Sequence, residues 1–119
     1  FTGWACVNCR RVEENVWTDP IVFDLINDNF VLISLYVDDR KELELKDQIT
    51  LNYKSGKTKE IRTVGDKSAT FQALNFKSAS QPFYVLLDSD LNILNSPIQY
   101  TSKEIYQAWL EEGLNNLNF

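Results

Sequence analysis

The sequence predicts a single α/β domain, and three observations carry that prediction. Helix-period and strand-period stretches follow one another along the chain. One near-continuous apolar run, Phe30 to Val37, is too short for a typical helix and rich in β-forming residues, the pattern of an inner strand. The length, 119 residues with 44% hydrophobic and 24% charged residues, suits one globular core.

The elements follow in order. Cys6 to Trp17 reads as a helix, with Cys9, Val12 and Val16 on one face and Arg10, Arg11, Glu13 and Glu14 polar. Thr18-Asp19-Pro20 stops it and starts another: Asp19 suits an N-cap and Pro20 the first helical position. Ile21, Val22, Leu25 and Ile26 give this second helix its apolar side. Phe30 to Val37 then forms a strand covered on both faces. Asp38 to Gln48 is a charged loop with some helical character. Ile49, Leu51 and Tyr53 alternate, Lys54-Ser55-Gly56-Lys57 turns, and Ile61 and Val64 follow, which reads as a weak hairpin or extended insertion.

Gly65 to Phe76 is predicted helical, with Phe71, Leu74 and Phe76 as anchors. Ser78 to Pro82 is a loop. Phe83 to Leu87 and Leu91 to Leu94 are two strands joined by a turn at Asp88-Ser89-Asp90. Thr101 to Glu104 has capping-box spacing and opens the last helix. That helix carries Ile105 and Trp109 on one stripe, and Tyr106, Leu110, Leu114 and Leu117 on the next. The Asn-rich end (Asn115, Asn116, Asn118) is expected to fray.

Composition excludes several chemistries. The chain has 0 His, which removes Ser-His-Asp and Cys-His nucleophile pairs and any imidazole zinc site. Two Cys cannot build a four-cysteine zinc or iron–sulfur site. A net charge of -5, from 12 basic and 17 acidic residues, offers no basic footprint for nucleic acid. No apolar run approaches the roughly 20 residues of a membrane-spanning helix. The chain lacks an initiator Met and a recognisable signal peptide. The expectation is a processed form or a cut-out domain, with any signal or membrane segment upstream of Phe1.

The two cysteines form a C-x-x-C, Cys6-Val7-Asn8-Cys9, at the start of the first helix. Unpaired N–H groups and the helix dipole stabilise a thiolate at Cys6. Cys9 lies one turn on, close enough to close a small disulfide ring. An exposed Cys6 thiolate attacks a substrate disulfide, and Cys9 resolves the mixed disulfide. Arg10 is either a further stabiliser of the thiolate or a solvated surface charge. The competing reading of the motif is a metal knuckle or structural thiol pair. With no other Cys or His in the chain, redox chemistry outweighs metal.

Other residues read two ways. Gln81-Pro82 is an ordinary trans loop proline, or a cis-proline beside the disulfide, where the Gln81 backbone would hydrogen-bond an incoming peptide as an added strand. Trp4 either packs in the core or covers one side of the disulfide as an apolar platform. Trp17 and Trp109 fall on helical stripes and read as core. Glu13 and Glu14 belong to a solvated helix face, or approach Cys9 as proton acceptors. Asp38-Asp39 and the Asp88/Asp90 pair resemble metal ligands only superficially.

Phe1-Thr2-Gly3-Trp4-Ala5-Cys6-Val7-Asn8-Cys9-Arg10, Leu35-Tyr36-Val37-Asp38-Asp39 and Gln81-Pro82-Phe83-Tyr84-Val85-Leu86-Leu87-Asp88 together resemble a thioredoxin-like domain. More narrowly, they are similar to the C-terminal periplasmic domain of DsbD-type thiol:disulfide interchange proteins of Bacteroides-like bacteria. The resemblance covers nearly the whole chain. It implies a three-layer sandwich, with a mixed sheet flanked by helices, as one domain over residues 1–119. It implies Cys6 as nucleophile, Cys9 as resolving thiol and a cis Pro82 facing the disulfide; the residues themselves offer Trp4, Gln81 and Pro82 as substrate contacts. It implies no cofactor beyond the Cys6–Cys9 disulfide. The partners would be protein thiols and disulfides and a membrane electron-donor domain. The setting would be periplasmic or extracytoplasmic, within a membrane-anchored protein, and the activity that of a reductant.

The chain departs from the thioredoxin pattern in three places. Ala5, not Trp, precedes the first Cys, and Trp4 is displaced by one. Residues 39–64 are longer than in a minimal thioredoxin and form an elaborated insertion. The central strand that should precede the cysteines falls before residue 1, together with its buried Asp, so the first strand is expected to be truncated. Two readings compete with the oxidoreductase: a non-catalytic thioredoxin-fold binding module with the cysteines as a staple, and a metal chaperone, which the absence of His and Met disfavours.

Overall fold

The computed structural model describes residues 1–117. Its elements are α1 (Val7–Asn15), α2 (Pro20–Asn29), β1 (Ile49–Asn52), β2 (Thr58–Ile61), α3 (Val64–Phe76) and α4 (Lys103–Asn115), with one 3-10 turn at Leu45–Asp47. The protein is therefore mixed α/β. The chain divides into two compact units. One comprises Phe1–Ala5 and Ser34–Ser80; the other comprises Cys6–Ile33 and the chain from Gln81 onward.

In the first unit, β1 and β2 pair antiparallel, Ile49 opposite Ile61 and Asn52 opposite Thr58. Gly56 turns the hairpin with a positive φ of 85°, which glycine adopts without a Cβ clash. This is the hairpin the alternation predicts. Helix α3 packs against β2. Thr63 caps α3 and Asp66 answers it: the Thr63 hydroxyl accepts from the Asp66 N–H at 3.0 Å, and the Asp66 carboxylate accepts from the Thr63 N–H at 3.1 Å. Gly65 lets the chain at 37–39 lie directly on the start of α3, and its N–H donates to the Asp39 carbonyl at 2.9 Å.

Of the expected anchors of α3, Phe76 is half-buried, while Phe71 and Leu74 turn outward. Phe71 is 49% and Leu74 55% exposed, and the buried positions are Gly65, Ser68, Thr70 and Gln72. Gln72 satisfies its buried amide by donating to the Ser80 carbonyl at 2.8 Å. Phe71 and Phe76 instead make tilted and edge-on contacts with each other and with Phe1, at 5.8–6.3 Å.

The second unit holds the larger apolar core: Val12, Val16, Val22, Leu86, Tyr106, Trp109 and Leu110. Burying each such side chain contributes about 1.5–3 kcal/mol. Helix α2 begins as its sequence predicts, with the Asp19 carboxylate accepting from the Ile21 and Val22 N–H groups, and it packs against α4. The cap of α4 is Ser102, which accepts from the Ile105 N–H at 3.3 Å. The box expected between Thr101 and Glu104 is therefore displaced by one residue, and Ile105 at the third helical position cannot reciprocate. Asn115 is the last residue of α4, and Asn116, its C-cap, donates to the Leu94 carbonyl at 2.8 Å. Asn118 lies outside the described residues.

Two strand expectations are corrected. Phe30–Val37 is not a buried strand: Val31 is 88%, Leu32 54% and Ile33 72% exposed. Among the described residues, no backbone hydrogen bond reaches Val31, Leu32, Ile33 or Ser34, so no neighbour exists to make them a ladder. Pairing begins only at Leu35. The Thr2 N–H donates to the Leu35 carbonyl, and the Val37 N–H donates to the Thr2 carbonyl, both at 2.9 Å, forming one parallel bridge between Thr2 and Tyr36. Residues 1–5 contribute this one bridge and no longer strand. The predicted hairpin of residues 83–87 and 91–94 is likewise reduced, to the bridges Leu87–Ile93 and Tyr84–Ile98. Leu91 takes a left-handed φ of 65° at the turn. Pro97, with no N–H to donate, interrupts the returning chain.

Candidate functional site

Cys6 and Cys9 are joined as a disulfide, with Cα atoms 5.2 Å apart. Cys6 is the N-cap of α1: its backbone is extended, and its Sγ accepts from the Cys9 N–H at 3.1 Å. That sulfur therefore sits at the positive end of the helix, against one of its unpaired N–H groups. In the reduced protein the same position stabilises a thiolate. Cys9 is 2% exposed and lies on the buried face of α1 with Val12. Cys6 is half-buried and Cys9 buried, so Cys6 is the more accessible of the two.

Arg10 and Glu13 pair on the flank of α1, Nε to Oε2 at 2.9 Å, with each side chain about one-third exposed. Arg10 is thus engaged with a carboxylate one turn on. The Tyr84 hydroxyl is pushed far up, chiefly by burial, then by Tyr106 and by the charge of Glu13, with Arg10 opposing. Tyr84, two residues after Pro82, packs against the core that includes Val12 of the same helix as Cys9.

The Gln81–Pro82 bond is cis, and Pro82 and Phe83 are buried. Trp4 belongs to the first unit. It is 64% exposed, and its ring stacks on Tyr36 with centroids 4.2 Å apart and planes 17° from parallel. Trp4 is therefore not a core residue. Trp109 is, at 6% exposed, with its indole N–H on the Ser96 carbonyl at 2.8 Å; half-buried Trp17 donates to the Tyr106 hydroxyl at 3.1 Å.

Sequence reasoning misses one residue here. Asp38 accepts from the Trp4 N–H at 3.0 Å through one carboxylate oxygen and from the Ala5 N–H at 3.3 Å through the other. Nothing in an Asp-Asp dipeptide announces such a contact, because the donors lie more than thirty residues upstream. Asp88 is a local turn anchor. It accepts from the Asn92 and Asp90 N–H groups and the Asn92 amide, and the Asn92 N–H foremost holds its carboxyl below the ordinary value.

Among the described residues, no group of three or more His, Cys, Asp or Glu is placed to hold a metal ion. No described helix is long and apolar enough to cross a membrane. No protein-family model matches the chain, and no curated protein matches it.

Proposed function

We propose that this protein is a thiol:disulfide oxidoreductase working through the Cys6–Cys9 pair. The observation that carries the reading is the disulfide itself, closed across the first turn of α1 with Cys6 as the cap. In the reduced protein the Cys6 thiolate attacks a substrate disulfide and expels one substrate thiolate. Cys9 then loses its proton to a carboxylate or water and attacks the Cys6 sulfur. The second substrate thiolate leaves, and the Cys6–Cys9 disulfide closes. Two electrons pass to the substrate, and an incoming dithiol restores the pair by the reverse route.

The finer reading follows the sequence resemblance: a thioredoxin-like domain similar to the periplasmic domain of DsbD-type proteins. It acts as a reductant of extracytoplasmic protein disulfides and is supplied by a membrane electron donor. The exposed Trp4–Tyr36 stack supports contact with a polypeptide substrate. In this reading the Gln81 backbone bonds a polypeptide substrate as an added strand.

Dithiothreitol-driven reduction of a protein disulfide tests it. Cys6→Ser brings turnover to background, and Cys9→Ser accumulates a mixed disulfide with the substrate. Undiminished turnover in Cys6→Ser, or no turnover in the wild type with its thiols intact, overturns the reading; the second result favours a binding module stapled by its cysteines. A reduction potential near about −270 mV supports a reductant, and one near about −120 mV an oxidant.

A further inference from the structure

We propose that Asp38 is a positioning residue for the Cys6–Cys9 pair, acting through the backbone of Trp4 and Ala5. This rests on the oxidoreductase reading and names a residue that tunes it. One carboxylate oxygen accepts from the Trp4 N–H at 3.0 Å and the other from the Ala5 N–H at 3.3 Å. Charge-assisted bonds of this kind are stronger than neutral ones. The buried Gly3 makes room for them: a Cβ there would lie 3.2 Å from Asp38 Oδ2.

Two further contacts fix the same stretch. Thr2 is bonded to Leu35 and Val37, and the Trp4 ring lies on Tyr36. Residues 2–5 are thus held along 35–38, and the next residue in the chain is Cys6. The cap geometry of Cys6, φ -84° and ψ 102°, aims its Sγ at the Cys9 N–H. A preceding backbone that is pinned keeps the sulfur on that donor. A loose one lets the thiolate of the reduced form lose it, and reduction becomes less favourable.

The test is the equilibrium of the pair with reduced and oxidised glutathione, alongside amide hydrogen exchange at Trp4 and Ala5. In Asp38→Ala, exchange at both amides accelerates, and the equilibrium constant for reduction falls about tenfold, the scale of one charge-assisted hydrogen bond. Asp38→Asn keeps one acceptor and falls between that variant and wild type. Gly3→Ala displaces the carboxylate without changing charge, and shifts the equilibrium in the same direction. These last two variants decide the matter should Asp38→Ala fail to fold.

Loss of a negative charge alone acts the other way, because one carboxylate fewer makes a thiolate easier to form. Easier reduction in both Asp38 variants with Gly3→Ala unchanged therefore overturns the proposal. So does faster amide exchange with an unmoved equilibrium, the signature of a purely structural role. A wild-type pair that never equilibrates with glutathione defeats the oxidoreductase reading itself, and this proposal with it. A wild type that equilibrates beside unresponsive variants defeats only the role of Asp38.

Discussion

Tyr106 shows how one hydroxyl supports a core. It is 3% exposed and accepts the indole N–H of Trp17 at 3.1 Å. Tyr106→Phe keeps the ring but leaves that N–H without its partner. The expected loss is about 1–2 kcal/mol of unfolding free energy, read from urea melts. Val31 is the opposite case. Its sequence neighbours read as a buried strand, yet it is 88% exposed. Val31→Lys is expected to change stability by no more than about 0.5 kcal/mol by the same measurement; a loss several times larger would contradict the exposed position. The cysteines are legible at this scale because their chemistry is local: residue type, spacing and a helix start suffice. Asp38 is not, because its two partners are brought to it by the fold.

Among the elements, α3 depends on its first turn. A Cβ at Gly65 would stand 2.7 Å from the Val37 and Asp39 carbonyl oxygens and 2.8 Å from the Asp39 nitrogen. Backbone cannot move aside as a side-chain tip can. Gly65→Ala is expected to cost about 2–3 kcal/mol, the range of overpacking, as a fall in the denaturation midpoint. Thr63→Ala removes one half of the capping box and costs about 1 kcal/mol. Partial burial raises the Asp66 carboxyl, but the N–H groups of Arg62 and Thr63 and the Thr63 hydroxyl outweigh it and hold it below the ordinary value. Asp19-Pro20 is readable as a helix start because both residues act locally. The α3 box is harder to read because its third residue is Asp rather than Glu or Gln. At α4 two adjacent hydroxyls compete for the cap, and Ser102 rather than Thr101 takes it.

For the molecule as a whole, alkaline pH is the informative variable. Burial foremost, with the Trp17 hydrogen bond opposing, pushes Tyr106 up to about 12 from an ordinary 10.0, and Tyr84 is also raised, again chiefly by burial. A raised folded-state value favours the neutral phenol in the native protein. That stability is fully present below pH 10 and is lost between pH 10 and about 12 as the unfolded tyrosines ionise first. Denaturation midpoints measured from about pH 8 to 12 should hold until about 10 and then fall, and Tyr84→Phe should flatten the fall. A midpoint independent of pH across that window would contradict the burial of both phenols.

The sequence by itself determined the α/β class, four helices and the C-x-x-C spacing that the disulfide closes, because periodicity, caps and a C-x-x-C are written within a few consecutive residues. The tertiary structure decided which apolar stretches became ladders and which face of α3 is buried. It also decided which carboxylate reaches the chain ahead of Cys6. A strand exists only where a neighbour supplies donors and acceptors. Ile49–Asn52 found one in Thr58–Ile61, and Val31–Ser34 found none among the described residues.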